Sequence, residues 1–216
     1  MTTMAITTQD KLAVLNSIEQ ALDEARKGHD AIKASGGFPD GLQWSNAPID
    51  LSLLVGASPV SGHAAVSIAD HTQPGLTKSY SADGINLHLS SSLQPDVNQP
   101  DQKYDYVKLM DVLFGETLAS IRKNAGLKST NEGFPPYIHP PGFSHCGATN
   151  PTKNVDNGTI SFVHALYFSR ADLPRVLEVI SSMKEEIRAS GTDRPSGEHR
   201  LDAPRDHGEE RAAARE

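Results

Sequence analysis

One cysteine among 216 residues means that no internal disulfide can form, and it excludes zinc modules built on four thiolates. A chain that folds without cross-links suits a reducing compartment. Basic residues are also few: 20 Lys and Arg stand against 27 Asp and Glu, and the net charge of −7 provides no field to draw phosphate backbones or anionic membranes. Neither nucleic acid nor a membrane is expected as a partner. Long apolar runs are missing as well. Nothing approaches the roughly 18 residues of a membrane span, and "MTTMAITTQDK" has neither the basic nor the apolar segment of a signal peptide. A cytoplasmic location is the expectation. P-loop, dinucleotide, nucleophile-elbow and paired-cysteine motifs are absent too, which argues against nucleotide hydrolysis, dehydrogenation and α/β-hydrolase chemistry.

What is present is enough apolar residue, 37% of the chain, to bury the core of one domain. Leu12, Leu15, Ile18, Leu22 and Ala25 recur every three or four positions, which predicts an amphipathic N-terminal helix over about 8–35. The stretch "GGFPDGLQWSNAP" punctuates the chain before an expected strand at 51–55, and a second strand is expected over 63–70. Trp44, the only tryptophan, falls in that connector, where it either plugs the core edge or stacks on a ligand. Asp83-Gly84 between two alternating runs predicts a hairpin at 76–90, which would set Ser79 opposite His88 and Ser81 opposite Asn86. A helix is expected over 104–125 with Gly126 as its stop, then a long loop at 127–158, a strand "TISFVHALYF" and a last helix capped by Asp172.

Strands grouped between helices, without repeated βαβ units, predict an α+β fold: an antiparallel or mixed sheet with helices packed on one face. Residues 1–190 form the expected single domain. Residues 191–216 have little to bury and are expected to be a disordered tail.

Two places concentrate groups capable of chemistry. His164 lies in the apolar row Ile160, Phe162, Leu166 and Phe168, where burial would keep the imidazole neutral, as a general base or a metal ligand must be. A core histidine satisfied by a neighbouring group is the competing reading. The loop "YIHPPGFSHCG" carries Tyr137, His139, Phe143, His145 and Cys146, and admits three readings. His139, His145 and Cys146 could bind a metal, although their spacing matches no standard module. Cys146 could be a nucleophile activated by a distant histidine. Paired prolines could simply stiffen the loop, which would still make it a workable lid.

The polar side of the expected hairpin, with Ser79, Ser81, Asn86 and His88, carries no charge, although solvated strands usually do. Small uncharged hydrogen-bonding groups suit the lining of a cavity for a mostly apolar ligand. A covering helix is the alternative.

The leading expectation is a small enzyme using cofactor-independent acid–base chemistry of isomerase, cyclase or lyase type. His164 would be the base or acid, and Tyr137 with His139 or His145 would polarise a substrate oxygen. Alternation puts Tyr167 on the opposite face of its strand from His164, so Tyr137 is preferred as the phenol. His88, Ser79, Ser81, Asn86, Phe143 and Cys146 are the expected ligand contacts. The alternative is a non-catalytic protein that holds a small ligand, haem or a metal on the same face. A homodimer packed through the Leu12 to Ala25 stripe is a third expectation.

Overall fold

The computed structural model describes residues 6–36, 42–51, 60–69, 84–93, 106, 108–129, 141–153 and 160–192. Helix α1 spans Thr8–Ala34, close to the expected 8–35. Its start is fixed by Asp10, whose Oδ2 accepts from both the backbone N–H (2.8 Å) and the hydroxyl (2.6 Å) of Thr7, while Thr7 Oγ1 accepts from the Asp10 N–H. This reciprocal cap satisfies donors that the first helical turn would otherwise strand.

Six strands follow: β1 (Leu42–Asp50), β2 (Val60–Ala69), β3 (Gly84–Leu93), β4 (Lys128–Ser129), β5 (Phe143–Lys153) and β6 (Ile160–Ser169). They form one sheet in the order β1-β2-β3-β6-β5-β4, antiparallel throughout except for the short parallel pair β4 and β5. Between β3 and β4 a π-helical turn, Asp111–Gly115, runs directly into α2, Glu116–Asn124. After β6 a short 3-10 turn leads into α3, Leu173–Thr192. Among the described residues the fold is α+β, a mixed six-stranded sheet with three helices packed on it. No helix among the described residues is long and apolar enough to cross a membrane.

Strand register explains the layering. Ala64, Leu89 and His164 are cross-strand neighbours, as are Val66, Leu87 and Leu166, and then Ile68, Ile85 and Phe168. All but His164 are apolar and essentially fully buried. They meet Val14, Leu15, Ile18, Ala21 and Leu22 of α1 and Val176 and Ile180 of α3 in one core. Each large aliphatic side chain buried there contributes about 1.5–3 kcal/mol. Side chains alternate across a strand, so the intervening residues form the opposite face.

Several expectations change. The hairpin at 76–90 is not the pairing found. Its first half lies outside the described residues, and its second half, β3, has both edges taken: His88 pairs with Ala65 on β2 and Ala165 on β6. A strand has only two edges, so no third partner can add. The loop at 127–158 is shorter than expected, because residues 143–153 form a full strand with a register shift between Thr149 and Thr152. A bulge absorbs the irregularity there, near Pro151. The first strand also begins earlier, at Leu42, and accommodates Pro48 because it lies at the sheet edge. The expected strand at 51–55 falls almost wholly outside the described residues, as does the tail beyond 192. Of the α1 stripe expected to make a dimer, Leu15, Ile18, Leu22 and Ala25 are buried in the chain's own core, while Leu12 is only half-buried.

Gly126 stops α2 as expected. Its φ of +63° suits glycine, and the Leu127 N–H reaches Arg122 O while the Gly126 N–H reaches Lys123 O, both at 3.0 Å. Asp172 does not serve as the expected helix cap; its Oδ2 accepts from the Gly142 N–H at 2.7 Å and so ties the start of β5 to α3. Ser169 caps the 3-10 turn instead.

Candidate functional site

The sheet face away from the described helices carries a row of polar side chains. Register aligns His145 on β5, Tyr167 on β6, Asn86 on β3 and Ser67 on β2 in one row across four strands. The next row is Gly147, Ala165, His88 and Ala65, so His88 rises between three of the smallest side chains. Glycine and alanines thus stand beside the larger polar side chains. At Gly147 a Cβ would sit 3.4 Å from His145 Nε2, so the imidazole leans over the space that glycine leaves.

Three rings gather beside these small residues. The Tyr167 hydroxyl lies 3.2 Å from His88 Nε2, and the two rings meet edge-on with centroids 5.6 Å apart. His145 approaches Tyr167 from the other side at 6.2 Å between centroids. Asn86 donates to Ser67 Oγ at 3.2 Å, which fixes the amide beside them. Burial lowers the pKa of His88 below the ordinary imidazole value, so the ring is neutral near pH 7. A neutral imidazole hydrogen-bonded to a phenol can pass a proton in either direction, depending on which ring nitrogen carries it.

The structure separates residues that the sequence grouped. His164 faces the helices, on the opposite side of the sheet from His145 and His88, so His164 and His145 cannot act on one substrate atom. Cys146 also faces the helices, packed against the core, because residues 145 and 146 alternate in β5. It is therefore not a contact of the His88 face. Burial pushes its thiol pKa up, partly countered by Arg122, which leaves a protonated thiol rather than a nucleophilic thiolate. Phe143 shares the His145 face by alternation but sits at its margin, with Lys128 Nζ 5.9 Å from its ring centroid. Tyr137, His139, Ser79 and Ser81 lie outside the described residues.

Tyr167 is the participant that the sequence reading set aside. Strand alternation did place it away from His164; the missing piece was that His145 and His88 lie on Tyr167's side. The central strands β2, β3 and β6 carry no Lys, Arg, Asp or Glu at described positions of this face. Among the described residues, no group of three or more His, Cys, Asp or Glu side chains converges to hold a metal ion.

The helix side has its own concavity, a groove of about 290 Å³ lined by Leu15, Val112, Leu113, Thr117, Met183 and Ile187 among others. It is mostly apolar, with Lys11 and Glu116 in its lining and no histidine or tyrosine. No protein-family model matches the chain, and neither does any curated protein or solved structure.

Proposed function

We propose that the protein is a small enzyme that binds a mostly apolar metabolite on the sheet face away from the described helices and moves protons without a cofactor, in chemistry of the isomerase, cyclase or lyase type. The observation that carries this reading is the 3.2 Å contact between the Tyr167 hydroxyl and His88 Nε2. His164 takes no part in this chemistry, since its side chain faces the helices.

The roles follow from donor and acceptor chemistry. His145 takes a proton from a substrate carbon next to a carbonyl. Tyr167 delivers its phenolic proton to the developing enolate oxygen, where a positioned donor is worth most. His88, in its Nε2–H tautomer, donates to the phenolate left on Tyr167 and so lowers the cost of that step. His145 then delivers its proton to a different carbon of the substrate while the phenolate of Tyr167 takes its own proton back from the enol oxygen, which completes an isomerisation and restores both groups. Asn86 and Ser67 orient a second polar group of the ligand, and the small residues Gly147, Ala165 and Ala65 accommodate its apolar body.

The reading is tested in heavy water. Full-length protein is incubated with small-molecule extract from its own host, and mass spectrometry follows deuterium entering each metabolite. One metabolite should exchange, and Tyr167→Phe or His145→Gln should slow that exchange by about 10²–10⁴-fold. Exchange at equal rates in both variants would remove this site from the chemistry. A co-purified ligand on native mass spectrometry, with no exchange of any metabolite, would instead favour the non-catalytic carrier.

A further inference from the structure

His164 sits in an unusual place for a titratable group. Its side chain is only 8% exposed, and Nε2 lies 3.1 Å from Asp111 Oδ1, within ion-pair reach but outside hydrogen-bond geometry. Asp111 itself is 64% exposed. Two other parts of the ring are closely packed. Phe162 packs on it with centroids 4.9 Å apart, and a Cβ on Gly115 would come within 2.9 Å of Cε1. Asp111 and Gly115 are the first and last residues of the π-helical turn, so one imidazole touches both ends of it. Such turns are locally weak, because the extra residue per turn disturbs the ordinary helical ladder, and they recur at functional positions.

We infer that the contact of His164 with Asp111 and Gly115 is an acid-operated latch: the neutral imidazole lets the turn 111–115 close against the sheet, and the protonated one releases it.

The competing forces decide the direction. An imidazolium here would keep one carboxylate partner, off the ideal line and largely in solvent, where screening weakens it. On two other sides it would meet an aromatic ring and a glycine backbone instead of water. Burial therefore outweighs the attraction of Asp111, and the pKa of His164 lies below the ordinary value with that carboxylate as the opposing influence. Other titratable neighbours on this side of the sheet do not interfere. Cys146 on β5 and Tyr106, whose hydroxyl is 2.7 Å from Ser91 Oγ on β3, are both pushed upward by burial, Tyr106 to about 12, so both stay neutral as the pH falls. Arg122 on α2 acts on Cys146. Movement of the turn bearing Asp111, whose side chain is 64% exposed, would let water reach the charged ring at Nε2.

The test is residue-resolved amide hydrogen exchange on the full chain between pH about 7.5 and about 5, corrected for the intrinsic pH dependence, with the His164 ring titrated by NMR in the same samples. Protection at residues 111–115 should fall about tenfold or more on acidification while residues 116–124 change less, with a midpoint matching the His164 titration. Asp111→Asn, a change at an exposed position, should move that midpoint to lower pH. His164→Gln should abolish the response, and His88→Gln should leave it intact. Protection that is constant or rises in acid overturns the latch, as does a response that survives in His164→Gln. Should His164→Gln fail to fold, Asp111→Asn decides alone: an unmoved midpoint overturns the inference.

Discussion

The Tyr167 hydroxyl meets His88 Nε2 at 3.2 Å although 79 residues separate the two in the chain. They stand on neighbouring strands, diagonal to one another, since His88 pairs with Ala165. The contact is polar and half-buried. Tyr167→Phe should therefore lower the unfolding free energy by about 0.5–1.5 kcal/mol, the usual net value of one such hydrogen bond. Urea denaturation of the two proteins measures it, and His88 ring shifts should change in the same variant. Unchanged shifts would mean that the pair does not form in solution.

Acid should weaken the fold through His88 and His164, both held below the ordinary 6.5 by burial, His164 against the pull of Asp111. A histidine with a depressed folded pKa binds fewer protons folded than unfolded, so its contribution is complete above pH 6.5 and is lost as the pH falls through the folded value. Denaturation midpoints should thus be lower at pH about 5 than at about 7.5. A double variant with Gln at both positions should show a flatter profile over that interval.

Gly115→Ala should destabilise the protein by about 1–3 kcal/mol, as overpacking does where neighbours cannot retreat. The added methyl would stand 2.9 Å from His164 Cε1. The imidazole is hemmed in by Phe162, so its retreat is not free. Thermal melts give the comparison; an unchanged melting temperature would show that the turn yields easily.

Lys184 and Glu19 pair across α3 and α1, with Lys184 only 9% exposed at its side chain and Glu19 34%. Glu19→Ala would leave a buried ammonium without its partner, and losses of about 3–5 kcal/mol are typical for such a break. Replacing both residues with Leu should be far milder. If the single and double changes cost the same, the pair does not couple the helices.

Cys146 should react slowly with a thiol reagent in the native protein and readily after unfolding, since burial holds the thiol protonated. Fast native labelling would contradict its placement against the core.

The sequence by itself determined several of the local elements and, within a strand it identified, the side on which a residue lies. Helix α1 was legible because its apolar spacing repeats with the helical turn, and the stop at Gly126 because a left-handed residue favours glycine. Alternation correctly set His164 and Tyr167 on opposite faces. Tertiary structure alone decided which strands meet. The Asp83-Gly84 signal pointed to a local partner for β3, yet both edges of β3 went to strands remote from that turn, and "GFSHCG" became part of a strand despite its flanking prolines. Pairing depends on which other edges are available and which apolar faces can be buried together, and a short window of sequence contains neither quantity. That is why Tyr167 and His88 could be marked as residues on a face and His145 only as a loop residue, while their convergence became visible only with β5, β6 and β3 side by side.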